Sequence, residues 1–249
     1  MAAISEMRQQ RRAPDPPLFV QRPVIRLAAG WQDDDLPASG CEYAYAGRFA
    51  AEPDPLGDDF CPSLARARLF ALLDQGARSG IRDMLVSIPA TQLAPLIAEP
   101  ALRRRVSALT TSGLRLAVLA GWPDTERTHV SLTEALSAWR RAGCAVGLDN
   151  FGYAPFPPLW PFVLALDIVR IDARLMTMLA ASAIRAQPVS DLIGFVVRSG
   201  PAQVIADGCA SPDHAQFART CGATHAQGPH FGAFRFTAPH LAPSQEDRP

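Results

Sequence analysis

Apolar runs that stop at an aspartate, each preceded by an amphipathic stretch, predict an α/β chain closed into a TIM-like (β/α)8 barrel. An early pair of strands joined by a short turn predicts that the barrel begins with an irregular, antiparallel strand. The clearest unit is Ala145–Gly152, read Ala-Val-Gly-Leu-Asp-Asn-Phe-Gly. Upstream of it, Leu132, Ala135, Leu136 and Trp139 recur at helical spacing within Ser131–Ala142, and Gly143 ends that pattern. Helix, glycine, buried strand and a carboxylate at the strand end is the repeating unit of a parallel sheet or barrel. The carboxyl ends of such strands hold the site, so Asp149 is the first residue to consider for chemistry.

The elements follow in order. Residues 1–17 are polar and proline-rich and read as a disordered tail. Leu18–Leu27 (Phe19, Val20, Val24, Ile25) is a first strand, Gly30–Gly40 with Asp33, Asp34 and Asp35 a turn, and Cys41–Phe49 a second strand, antiparallel to the first because the connection is short. After a Pro/Gly/Asp loop at Ala50–Cys61, Ser63–Ser79 has an apolar helical face of Leu64, Leu69, Leu72 and Leu73. Met84–Ile88 is a buried strand, Thr91–Ser112 a helix broken near Pro100, and Leu114–Leu119 a strand. Ser131 and Glu134 have the spacing of a capping box, which makes Glu134 a cap rather than a catalyst.

Beyond Tyr153–Phe162, rich in proline and aromatics, Ile168–Ile171 is a strand that ends at Asp172. Helices are predicted at Ala173–Ala183, Val189–Ser199 and Pro212–Cys221, with strands at Gln203–Ala206 and Thr224–Gln227. No internal repeat or linker interrupts residues 18–240, so one domain is predicted there, with a disordered tail at 241–249.

Composition narrows the function. The 249 residues are 48% hydrophobic and carry 24 basic and 24 acidic side chains, a balance that favours no nucleic-acid partner. Arg103, Arg104 and Arg105 adjoin, but inside a helical pattern they read as a solvated face. Cys41, Cys61, Cys144, Cys209 and Cys221 form no CxxC pair or zinc spacing. An odd count with no signal-peptide pattern predicts a cytoplasmic protein, and no apolar stretch approaches the ~18 residues of a membrane span.

Four strand ends form a set: Leu148-Asp149-Asn150-Phe151-Gly152, Val169-Arg170-Ile171-Asp172, Ile205-Ala206-Asp207-Gly208 and Gln227-Gly228. In order and spacing they resemble the EAL domain, the family of bacterial cyclic di-GMP phosphodiesterases, whose pattern there runs DDFG, KID, AEGVE and QG. The resemblance covers residues 20–235 and is strongest after residue 130. It implies a barrel of EAL type with its second strand reversed, cyclic di-GMP bound across the open end, and hydrolysis of one phosphodiester bond by two divalent cations. Such cations need several carboxylate oxygens, lower the pKa of a bound water and stabilise the attacking and leaving oxygens.

Carried over residue by residue, that ligand set is depleted. Aligned on Arg48, the glutamate that names the family falls on Ala44, with Glu42 two residues away on the same strand. The family's asparagine falls on Ser87, and the glutamates of its ELTE-like motif fall on Ala117 and Ala120. Asp149 is kept but its acidic neighbour is Asn150; the lysine is Arg170, the AEG glutamate Asp207, the later glutamate Ala210, and Gln227 is retained. The degenerate positions are therefore Ala44, Ser87, Ala117 and Asn150. Asp149 and Asp207 remain as residual metal ligands for Mg2+ or Mn2+, or else cap helices or pair with Arg170. Arg170 and Asp172 are expected in salt bridges or polar packing.

Arg48, Arg170 and Gln227 are the candidate ligand-binding residues, since a guanidinium meets phosphate oxygens bidentately. His225 and His230 flank Gln227 without a third metal ligand in sequence, and Phe156, Trp160 and Phe162 are expected to be buried. The resulting expectation is a catalytically degenerate EAL-like protein that acts in bacterial signalling through a regulatory protein partner, with cyclic di-GMP as a candidate ligand. One alternative is a weak metal-dependent phosphodiesterase rebuilt from Glu42, Asp149, Asn150 and Asp207. Another is a nucleotide-binding protein without hydrolysis that relies on Arg48, Arg170 and Gln227.

Overall fold

The computed structural model describes residues 19–27, 38–45, 62–78, 82–121, 128–152, 165–179, 186–232 and 235–237. The sheet is a closed ring. Strand β1 (Phe19–Arg26) pairs antiparallel with β2 (Ala38–Tyr45), from Phe19 opposite Tyr45 to Ile25 opposite Ala38. Strands β2, β3 (Asp83–Pro89), β4 (Arg115–Gly121), β5 (Ala145–Phe151), β6 (Ile168–Ile171), β7 (Gln203–Ala206) and β8 (His225–Ala226) then follow in parallel succession. The ring closes where Ile25 of β1 lies opposite Ala226 of β8, again antiparallel. The fold is therefore the predicted α/β, TIM-like barrel.

The reversed strand is the first, not the second. β2 runs parallel to β3, and β1 opposes both of its neighbours. A short connection can only return the chain antiparallel, whereas the long segment between β2 and β3, which contains a helix, permits a parallel crossover. A further strand, β9 (Arg235–Thr237), pairs antiparallel with Phe19–Gln21 and was not predicted. Its three residues are too few to show a strand period.

Helices α1 (Pro62–Arg78), α2 (Ala90–Ala98), α3 (Pro100–Thr111), α4 (Thr128–Arg141), α5 (Ala173–Leu179), α6 (Ala186–Arg198) and α7 (Pro212–Thr220) surround the ring. The break expected near Pro100 is present: Glu99 is extended, at φ −67° and ψ 116°, and Pro100 opens α3. The helix start expected at Ser131 lies earlier: α4 begins at Thr128, so Ser131 falls within its first turn. The expected tails fall outside the described residues, as do the loop 153–162 and Phe49. No helix among the described residues is long and apolar enough to cross a membrane.

Two apolar layers result from strands buried on both faces. Outward-facing Val86, Val118, Val146, Leu148 and Val169 pack with Leu72, Leu93, Trp139 and Ile193 of the helices. Val24, Leu85, Ala117, Leu119, Ile168 and Ile205 fill the inside of the barrel. Gly147 allows this filling: a Cβ there would lie 2.3 Å from the Ile168 carbonyl oxygen and 2.6 Å from Leu119 Cδ2.

Candidate functional site

Inward-facing positions alternate along each strand, so the apolar layer inside the barrel is followed, toward the carboxyl ends, by a polar one. Two residues beyond Leu85 is Ser87, two beyond Ile168 is Arg170, and two beyond Ile205 is Asp207. All three are buried, as are Asp149 at the end of β5 and Gln227 just after β8.

Asp149 is the centre of this layer, and both of its oxygens are occupied. Oδ1 accepts from Arg170 Nε at 2.6 Å and from the Asn150 amide at 2.7 Å. Oδ2 accepts from Arg170 Nη2 at 2.6 Å and from Ser87 Oγ at 2.5 Å. A carboxylate offers about four acceptor directions, and here each is used. Arg170 makes the bidentate contact typical of guanidinium and carboxylate, and its Nη2 also donates to Ser87 Oγ at 2.8 Å. Its Nη1 donates to Gln227 Oε1 at 3.3 Å. Asn150 sits at φ 52°, a left-handed conformation that asparagine tolerates, and its side chain is exposed rather than turned into this layer.

The other strand-end carboxylates are also held by arginine. Asp207 Oδ2 accepts from Arg22 Nη2 of β1 at 2.9 Å, and Oδ1 accepts from the Gly208 amide at 2.7 Å. Asp172 accepts from Arg174 Nε at 2.9 Å and Nη2 at 2.6 Å, and also from the Arg174 amide, which caps α5. The salt bridges expected for Arg170 and Asp172 are thus both present, each with a separate partner. The expected pairing of an aspartate with Arg170 holds for Asp149, while Asp207 pairs with Arg22. Arg22 was not singled out in the sequence, although it lies two residues from inward-facing Val24 and so shares its face.

Register places the remaining candidates. Glu42 lies opposite Arg22 and beside Leu85, and Ala44 lies opposite Val20, two residues further toward the carboxyl end of β2. Arg48 lies outside the described residues. Ala117 requires a correction. It pairs with Leu85 and Ala145 and lines a cavity of about 170 Å³ with Asp83, Arg115 and Gln203, at the amino end of the strands, opposite Asp149. Because Ala120 pairs with Leu148, the carboxyl end of β4 is Ala120–Gly121, which carries no carboxylate.

His225 and His230 do not converge on a metal-binding set. His225 is buried with Nδ1 2.9 Å from Thr224 Oγ1, and burial, then the nearby Arg26 charge, lowers its pKa. His230 meets Phe231 edge-on at 4.7 Å.

Comparison with known proteins now places this geometry. The EAL domain family model matches residues 58–233. The chain belongs to the EAL domain family. Solved structures share the fold at low identity. The PaMucR phosphodiesterase in complex with c-di-GMP is 19% identical, covers 94% of this chain and 97% of its own, and has a TM-score of 0.65. The Klebsiella pneumoniae BlrP1 complex with manganese and cy-diGMP is 16% identical, over 91% of this chain and 58% of its own, with a TM-score of 0.68. The EAL domain of Mycobacterium smegmatis DcpA is 16% identical over 89% and 92%, with a TM-score of 0.63. No curated protein matches the sequence.

Within this EAL domain the described residues do not fit a divalent metal cluster. No three His, Cys, Asp or Glu side chains among them come together to hold a metal. Asp149 could ligate a cation only by releasing Arg170 or Ser87, and Asp207 holds one oxygen to Arg22 and the other to a backbone amide. The 24 basic residues of the chain are all arginine, so the site contains no ammonium group that could give up a proton near neutral pH.

Proposed function

We propose that this EAL domain is catalytically degenerate and acts in bacterial signalling by binding a regulatory protein partner, with cyclic di-GMP a candidate second ligand. The single observation that carries this reading is the complete hydrogen bonding of Asp149 by Arg170, Ser87 and its own following amide. Hydrolysis by two hard cations requires carboxylate oxygens free to enter their coordination shells. Here the guanidinium of Arg170 already supplies the positive charge that a cation would bring.

Residues 18–240 act as one domain in this reading, and the protein works in the cytoplasm. The thiols of Cys144 and Cys209 are free and buried, and burial pushes both up to about 12, with Asp207 adding to the rise at Cys209.

The test is a calorimetric titration of cyclic di-GMP into the protein with Mg2+ or Mn2+, and again with EDTA, followed by analysis of the recovered nucleotide. Intact nucleotide under every condition is expected. Binding that survives EDTA would make cyclic di-GMP a ligand of Arg170 and Gln227, with Arg48 the next residue to substitute. One observation favours a second reading, a weak phosphodiesterase using Mg2+ or Mn2+: Asp149 and Asp207 are both buried at strand ends facing the same mouth. Metal-dependent cleavage that is lost in Asp149→Ala would establish it and sink the degenerate reading.

A further inference from the structure

Outside the barrel, α2, α3 and α4 enclose a groove of about 510 Å³. Its lining is largely of small residues: Ala94 and Ala98 of α2, which are exposed, and Ala135 and Ala138 of α4, beside buried Ile97. Two specific bonds fix its walls. Trp139 Nε1 donates to the Leu93 carbonyl at 3.1 Å, tying α4 to α2, and Thr110 Oγ1 donates to the Ala142 carbonyl at 3.0 Å, tying α3 to the end of α4.

Three arginines border this lining: Arg103 and Arg104 from α3, and Arg141 from the last turn of α4. All three are exposed, and none makes an ion pair or side-chain hydrogen bond among the described residues. Their neighbours differ. Arg105 pairs with Asp74 at 2.5 Å, Arg140 with Asp167 at 3.0 Å, and Arg66 with Glu99 at 3.6 Å. Glu134 is the single carboxylate on the rim. The groove therefore combines a mostly apolar lining with three guanidinium groups that have no partner among the described residues.

We infer that this groove is the docking surface for an acidic amphipathic helix of a protein partner. A lining of alanines lets a helix approach closely and set its apolar side chains between α2 and α4, the helix-in-groove mode of recognition. Carboxylates along one edge of that helix then face Arg103, Arg104 and Arg141, each able to bind a carboxylate bidentately. The chemistry disfavours other occupants. A nucleic acid would meet Glu134 and find, among the described lining residues, no aromatic side chain on which to stack a base. A nucleotide could pair its phosphates with the arginines, but the lining residues offer no aromatic ring to stack its base. The proposal rests on the partner-binding reading above for its biological meaning, but it shares no residue with the strand-end layer.

The test uses fluorescence anisotropy with the full chain and a labelled helical peptide bearing Glu along one edge and Leu and Ala along the other. A peptide with Lys in place of Glu and a single-stranded oligonucleotide serve as comparisons. Saturable binding of the Glu peptide alone is expected, weakening with added salt. The combined Arg103→Glu, Arg104→Glu and Arg141→Glu variant is expected to lose roughly tenfold or more in affinity. Ala138→Trp, which fills the groove without changing charge, is expected to lose binding as well. No binding of the Glu peptide, equal binding of the Lys peptide or oligonucleotide, or unchanged affinity in both variants overturns the proposal. Cleavage of cyclic di-GMP by a protein that still binds the peptide would instead remove only the degenerate reading.

Discussion

The strand-end layer and the outer groove both present arginine, but under opposite conditions. Arg170 is buried, and its Nε, Nη1 and Nη2 donate to Asp149, Gln227 and Ser87 of the same layer. Arg103, Arg104 and Arg141 are exposed, beside an apolar lining, and have no partner among the described residues. A buried guanidinium must find its partners within the fold, because burying it alone costs several kcal/mol. An exposed one stays hydrated until a partner arrives and so remains available for recognition. The same side chain therefore locks the barrel mouth and leaves the groove open to binding.

The largest expected effect tests the locked region. Arg170→Met leaves the Asp149 carboxylate buried without its counter-charge, and denaturant unfolding should show a loss of about 3–5 kcal/mol. A loss below about 1 kcal/mol would mean that water or another group readily replaces the guanidinium. Gly147→Ala acts one layer deeper on the same strand. Its Cβ would collide with the Ile168 carbonyl and Leu119, and overpacking of this kind costs about 1–3 kcal/mol. A shift in thermal midpoint measures it.

A smaller effect is read from pH. Burial and Arg26 lower the pKa of His225 below its ordinary 6.5, so below that pH the unfolded chain takes up the proton first and folding stability falls. The loss should run from about pH 6.5 downward to the folded-state value and should flatten in His225→Gln, as followed by unfolding at stepped pH. The smallest effect sharpens the contrast. Reversing Arg103, Arg104 and Arg141 should change stability by no more than about 0.5 kcal/mol, while peptide affinity falls. A large loss of stability there would mean that these arginines serve the fold rather than a partner.

Much of this was legible in the residues. Alternating apolar runs and helical patterns predicted the barrel, because burial on both strand faces and on one helix face leaves a direct imprint on composition. The strand-end aspartates Asp149, Asp172 and Asp207 were found for the same reason. Less visible was which strand is reversed, since a short turn makes β1 and β2 antiparallel but does not say which of them joins the parallel series. Apolar β4 has no internal marker of register, and only the pairing of Ala117 with Ala145 puts Ala117 at the amino end.

The sequence by itself determined the repeating α/β pattern, the family-like strand ends and the scarcity of carboxylates, since each depends on residue type and local spacing. Tertiary structure alone decided the pairings. Arg170 meets Asp149 and Ser87, Arg22 meets Asp207 across 185 residues, and three arginines on α3 and α4 border one groove without a partner among the described residues. The physical reason is that charge and hydrogen-bonding capacity are properties of a side chain, whereas the partner that satisfies them is chosen by barrel closure and helix packing.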